Sequence, residues 1–179
     1  MSRLREEQIP MSNDDLMAQR DRDESGTARN ARPRDALGRP LPRGSAGMPR
    51  IPDDLDLPPA ESLSYAQDLL DRGLAFNAHE VLEAAWKNGP PDQRNLWQGL
   101  AQLAVGITHV QRGNIKGACA LLDRAAARLA DSRPAPYGID VDGLVAYARA
   151  LIADLRKGNA TNPPPPRLSA VDRPSTGSC

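Results

Sequence analysis

The chain has 179 residues with zero formal net charge, 23 Lys and Arg against 23 Asp and Glu, and this balance removes any global electrostatic argument for nucleic-acid or anionic-membrane binding. It is 40% hydrophobic but only 3% aromatic, and every aromatic lies between Tyr65 and Tyr147. The core is therefore smaller than the chain, at roughly 100 residues, which is enough to fold alone by a modest margin.

Residues 1–58 mix Arg, Asp, Gly, Ser and Pro with few large apolar side chains, and such a segment cannot offset its ordering entropy by burial. A disordered arm over 1–58 is expected, with one short helix over Ser12–Arg20. Residues 1–50 carry ten Arg and eight acids; the interleaved acids and missing aromatics favour a solvated arm over an RNA-binding one. Cys119 falls in a predicted helix and Cys179 in the tail, so no internal disulfide is expected and a reducing cytoplasm fits. The N-terminus has no apolar leader region, and Leu100–Ile107 is too short an apolar run to span a bilayer. The reading is a soluble cytoplasmic protein.

An all-α domain is predicted over residues 59–158. The first helix, about Glu61–Arg72, follows Pro58-Pro59, buries Leu63, Ala66, Leu69 and Leu70, and stops at Gly73. A second helix is expected from Asn77, with Asn77 and Glu80 as a capping box, and Gly89-Pro90-Pro91 closes it. On it His79, Glu83 and Trp86 fall on one arc at 100° per residue. The third helix, about Asp92–Arg112, has no charged residue from Leu96 to Val110, so most of its circumference should be covered. Gln98, Gln102, Val105 and His109 line one side of it, within about 60° of each other. Asn114 caps a fourth, Ala-rich helix ending near Ala130, and Asp140 caps a fifth ending near Lys157, with Gly158 as its stop. Residues 159–179, with Pro163–Pro166, read as a disordered polyproline-prone tail.

Arg72-Gly73, Ala78, Leu82, Glu83 and Ala85 recur 40 residues later as Arg112-Gly113, Ala118, Leu122, Asp123 and Ala125. Two helical hairpins, each turning at Arg-Gly, would pair as tetratricopeptide-type (TPR-like) repeats do, with the fifth helix completing a compact bundle.

Phe76-x-x-His79-Glu80-x-x-Glu83-x-x-Trp86, Trp97-Gln98-Gly99-Leu100-x-Gln102-Leu103-Ala104-Val105, His109, Gly113-Asn114, Gly117-Ala118, Leu121-Leu122 and Gly138-Ile139-Asp140 together resemble the family catalogued as domain of unknown function 309. The resemblance covers about Ala60 to Leu155 and leaves both arms outside. It implies an all-α fold and no settled activity.

The candidate site is His79, Glu83, Gln98, Gln102 and His109, supported by Glu80 and Trp86. Three readings are open. His79, Glu83 and His109 could hold a divalent metal, two imidazoles and a carboxylate being a known set for Zn or Fe(II), as in a metal-dependent hydrolase. Against this, no Glu-x-x-His motif occurs, and Glu83 stands where a zinc-protease helix needs its second histidine. A ligand or catalytic pocket would use His79 or His109 as base, oriented by Glu83, or would bind a peptide or small molecule through the Gln stripe. A structural network of Glu83, imidazole and Gln amides is the favoured reading. Depth discriminates: a buried stripe means a network or metal, a groove-lining one means binding.

Overall fold

A computed structural model describes residues 32–159 and 163–170; the expected Ser12–Arg20 helix lies outside the described residues. Among the described residues five α-helices form the fold: α1 Pro59–Asp71, α2 Ala75–Asn88, α3 Arg94–Gln111, α4 Ile115–Ala130 and α5 Val141–Arg156, with a 3₁₀ turn Pro91–Gln93 leading into α3. Among the described residues there is no β-strand beyond isolated bridges, and no helix is long and apolar enough to cross a membrane.

Each helix packs chiefly on its neighbours in the chain: α1 on α2, α2 on α3, α3 on α4, α4 on α5. The shared core contains Ala66, Ala78, Leu82, Leu100, Ala118, Leu122, Leu129 and Leu144, all without exposed surface. Small residues set the closest approach. At Gly106 of α3 a Cβ would stand 2.8 Å from Leu122 Cδ2 of α4, so the absence of a side chain there lets these helices close together.

The two Arg-Gly turns have the same geometry. Gly73 (φ 75°) and Gly113 (φ 74°) adopt the left-handed conformation that costs other residues roughly 1–2 kcal/mol. In the first turn Gly73 N–H donates to Leu70 O (2.9 Å) and Leu74 N–H to Leu69 O (2.8 Å); in the second, Gly113 N–H donates to Val110 O (2.9 Å) and Asn114 N–H to His109 O (2.9 Å). Both are Schellman turns, and each starts the next helix immediately. The 40-residue echo is thus a repeat of turn geometry. Asn114 and Asp140 cap as expected, accepting from Gly117 N–H (3.0 Å) and Gly143 N–H (2.9 Å).

Asn77 does not cap α2. The Gly73 turn needs only Leu74 as a linker, so the helix begins at Ala75 and Asn77 already lies inside its first turn. Its buried side chain donates instead to Pro49 O at 3.3 Å.

Residues 32–58 and 163–170, which composition assigns to disordered arms, lie against the helices in these described stretches. Ile51 and Leu168 are buried in the common core. The N-terminal segment is held by the Asn77 bond, by Asn88 Nδ2 donating to Leu55 O (3.0 Å) and by Arg112 Nε donating to Leu37 O (2.7 Å). Its Gly38 rests on the Phe76 ring, which also carries the guanidinium groups of Arg34 (5.3 Å) and Arg112 (5.7 Å) over its face. A few apolar anchors and main-chain bonds supplied by helix side chains order these segments, a source of order that composition does not register.

Candidate functional site

His79 stands one turn into α2 because the Gly73 turn restarts the helix at Ala75. Its Nε2 lies 3.1 Å from Glu83 Oε2, and Glu83 Oε1 receives Lys87 Nζ at 2.9 Å. These are successive i,i+4 contacts along one helix. The ladder climbs from half-buried to open surface: side-chain exposure is 21% at His79, 34% at Glu83 and 62% at Lys87. His79 Nδ1 is 3.2 Å from the Phe76 carbonyl oxygen. Both ring nitrogens therefore face acceptors, and a neutral imidazole can donate to only one of them. Burial lowers the His79 pKa, Glu83 and the Phe76 carbonyl raise it, and burial prevails. For Glu83, burial raises the carboxyl, but the bonds and charges of Lys87 and His79 outweigh it and the net shift is down. Glu80 goes the other way, its carboxyl raised by burial despite the charges of Arg34 and Arg50.

His109 sits at the far end of α3, and its partner comes from the following turn. Asn114 uses both ends of its amide: Oδ1 caps α4, while Nδ2 lies 2.7 Å from His109 Nδ1. With Oδ1 accepting from Gly117, Nδ2 is the donor, so His109 Nδ1 accepts and its proton belongs on Nε2. Burial lowers the His109 pKa, and the charge of Arg112 lowers it further.

The metal trio, one of the three readings left open by the sequence, is not grouped among the described residues. His79 and Glu83 pair within α2, His109 pairs with Asn114 at the α3–α4 turn, and among the described residues no three His, Cys, Asp or Glu side chains group as metal ligands. Each ring nitrogen of His79 thus faces a protein oxygen, Glu83 Oε2 on one side and the Phe76 carbonyl on the other.

The α3 stripe is half-exposed along its length. Gln98, Gln102, Val105 and His109 keep partial access to solvent while the rest of the helix between Leu96 and Val110 is buried. Gln102 Oε1 is itself buried and accepts no hydrogen bond among the described residues. The stripe is thus neither fully buried nor open.

Sequence reasoning missed Gln67. It occupies the apolar stripe of α1 at i+4 from Leu63, is 8% exposed, and bonds to residues 166 and 168. A polar residue within an otherwise apolar stripe is the signal that could have found it.

Residues 63–121 match the family described as Domain of unknown function (DUF309). The resemblance read from the sequence is borne out over that stretch. A relative, the Uncharacterized protein YpuF of Bacillus subtilis (strain 168), is 46% identical over 48 residues. That alignment spans 26% of this chain and 28% of the relative's length. No solved structure matches the chain significantly. The DUF309 segment runs from α1 to the middle of α4 and contains both histidines, Glu83, Gln98 and Gln102.

Proposed function

We propose that the helical domain is a non-catalytic binding module whose contact face is the neutral stripe Gln98, Gln102, Val105 and His109 of α3, and that it holds an extended peptide by hydrogen bonds. One observation carries the reading: Gln102 Oε1 is buried and, among the described residues, without a hydrogen-bond partner, in a side chain that still reaches the surface. An orphaned acceptor costs about 1–3 kcal/mol, and a peptide N–H would remove that cost on binding. The absence of charge along the stripe favours main-chain donors over ionic ligands. In this reading the His79–Glu83–Lys87 ladder and the His109–Asn114 bond are structural, fixing α2 and the α3–α4 turn.

The test is Gln102→Met, which keeps the volume and deletes the acceptor. The variant should melt higher than wild type, by the equivalent of about 1 kcal/mol, while losing capture of peptides that wild type enriches from a random displayed library. Functional positions commonly sacrifice stability in this way. A less stable variant makes Gln102 a structural residue, and a wild-type protein that enriches no peptide removes the binding reading.

A further inference from the structure

Residues 163–170 lie in a groove formed by α1, α5 and the loop before α5, and the contacts treat them as a bound peptide. Gln67 of α1 sets its amide edge against the main chain, Nε2 donating to Pro166 O (3.0 Å) and Oε1 accepting from Leu168 N–H (2.9 Å). Tyr147 of α5 donates its hydroxyl proton to Pro164 O (2.8 Å), and burial raises its phenol pKa, so it stays a donor. Past Leu168 the segment makes an isolated antiparallel bridge to the loop: Asp140 N–H donates to Leu168 O (3.0 Å) and Ala170 N–H to Gly138 O (3.0 Å). All of these bonds go to backbone atoms, so they carry affinity without sequence.

Sequence is read at two positions. The Leu168 side chain is 1% exposed in the core, and Arg167 reaches Asp71 Oδ2 of α1 at 3.0 Å. Main-chain pairing combined with one side-chain pocket, entered by a pre-extended proline run, is the general chemistry of peptide recognition. A cleft of about 560 Å³ lies beside Arg167 and Leu168 along α1, and one of about 550 Å³ is lined by Ala170, Ile139 and Asp142.

We propose that this α1–α5 groove is a peptide-binding site for an extended Pro-Pro-Arg-Leu segment of another polypeptide, with residues 163–170 as its resident, displaceable ligand. The tether raises the effective concentration of the resident segment toward the millimolar range, so a partner gains access when the tail is released or outcompeted.

The experiment uses the full chain carrying Arg167→Glu and Leu168→Asp to expel the tail, and a fluorescein-labelled octapeptide of residues 163–170 as the probe. Anisotropy should show saturable binding to this variant, at least about tenfold tighter than to wild type, whose own tail competes. Adding Gln67→Leu should weaken binding by at least about tenfold, and a probe with Asp at the position of Leu168 should not bind. A variant with unchanged helical circular dichroism that takes up no probe overturns the proposal, as does binding indifferent to Gln67→Leu. If the double substitution unfolds the chain, a protease site inserted within residues 159–162 of the wild type replaces it. Exchange of the cut tail for labelled peptide then supports the site, and no uptake refutes it.

Discussion

Glu83→Gln separates a buried charge network from a surface ladder. Glu83 has two partners, His79 at 3.1 Å and Lys87 at 2.9 Å, on a side chain that is 34% exposed. Exposed i,i+4 pairs on helices contribute about 0.3–0.5 kcal/mol each, and the amide retains an acceptor for either partner. The loss should therefore stay below about 1 kcal/mol, whereas breaking a buried pair costs about 3–5 kcal/mol. Urea unfolding of wild type and variant at pH 7, in low salt and in molar salt, measures the difference. Screening should shrink it, since Lys87 is open to solvent. A loss above 2 kcal/mol, insensitive to salt, would refute the ladder and return Glu83 to the core of a network.

Three further outcomes follow from the same structure. Gly106→Ala should destabilise by about 1–2 kcal/mol in thermal melts, because overpacking against the unexposed Leu122 outweighs the roughly 1 kcal/mol gained in helix propensity; a stabilised variant would mean the α3–α4 interface is looser than described. Both histidine pKa values are lowered from 6.5, so the unfolded chain binds protons more readily and stability should fall as pH drops from 7 through 6.5, levelling below the lowered values; His79→Gln with His109→Gln should flatten that stretch of a urea-midpoint profile, and an unchanged slope would contradict it. The Glu80 carboxyl is raised, which makes its ionised form unfavourable to the fold, so Glu80→Gln should raise the melting temperature at pH 7 and bring no gain at pH 3.5, where the carboxyl is already protonated.

What was legible in the sequence was what is local. The Asn114 and Asp140 caps and the Gly73 and Gly113 turns close over three to five residues, and the His79–Glu83 pair closes over four, so spacing alone locates them. Asn77 misled because it fits the capping-box spacing to Glu80, while the preceding glycine turn had already restarted the helix; the same asparagine instead serves Pro49, 28 residues upstream. The partner of His109 was hidden for a related reason. Asn114 was legible as a cap through its oxygen, but the reach of its nitrogen back to the histidine depends on how the turn folds. The strapping segments were out of reach altogether, since Gln67 and Leu168 are 101 residues apart and no periodicity connects them.

The extent of the family match and the extent of the folding unit do not coincide, and the difference bears on function. The match ends at residue 121, inside α4, yet Leu122, Ala125 and Leu129 beyond it have no exposed surface. Gly99 and Gly106, inside the match, rest on Leu129 and Leu122. The matched stretch therefore requires the rest of α4 to cover its small-residue face. The Gln stripe of α3 and the α2 ladder lie wholly within that stretch. The α1–α5 groove is divided: Gln67 and Asp71 are inside the match, whereas Tyr147 and residues 163–170 are outside it. Its proposed ligand and half of its wall thus lie beyond the matched stretch, so substitutions at Tyr147 or Leu168 test the groove without touching any residue of the α3 stripe.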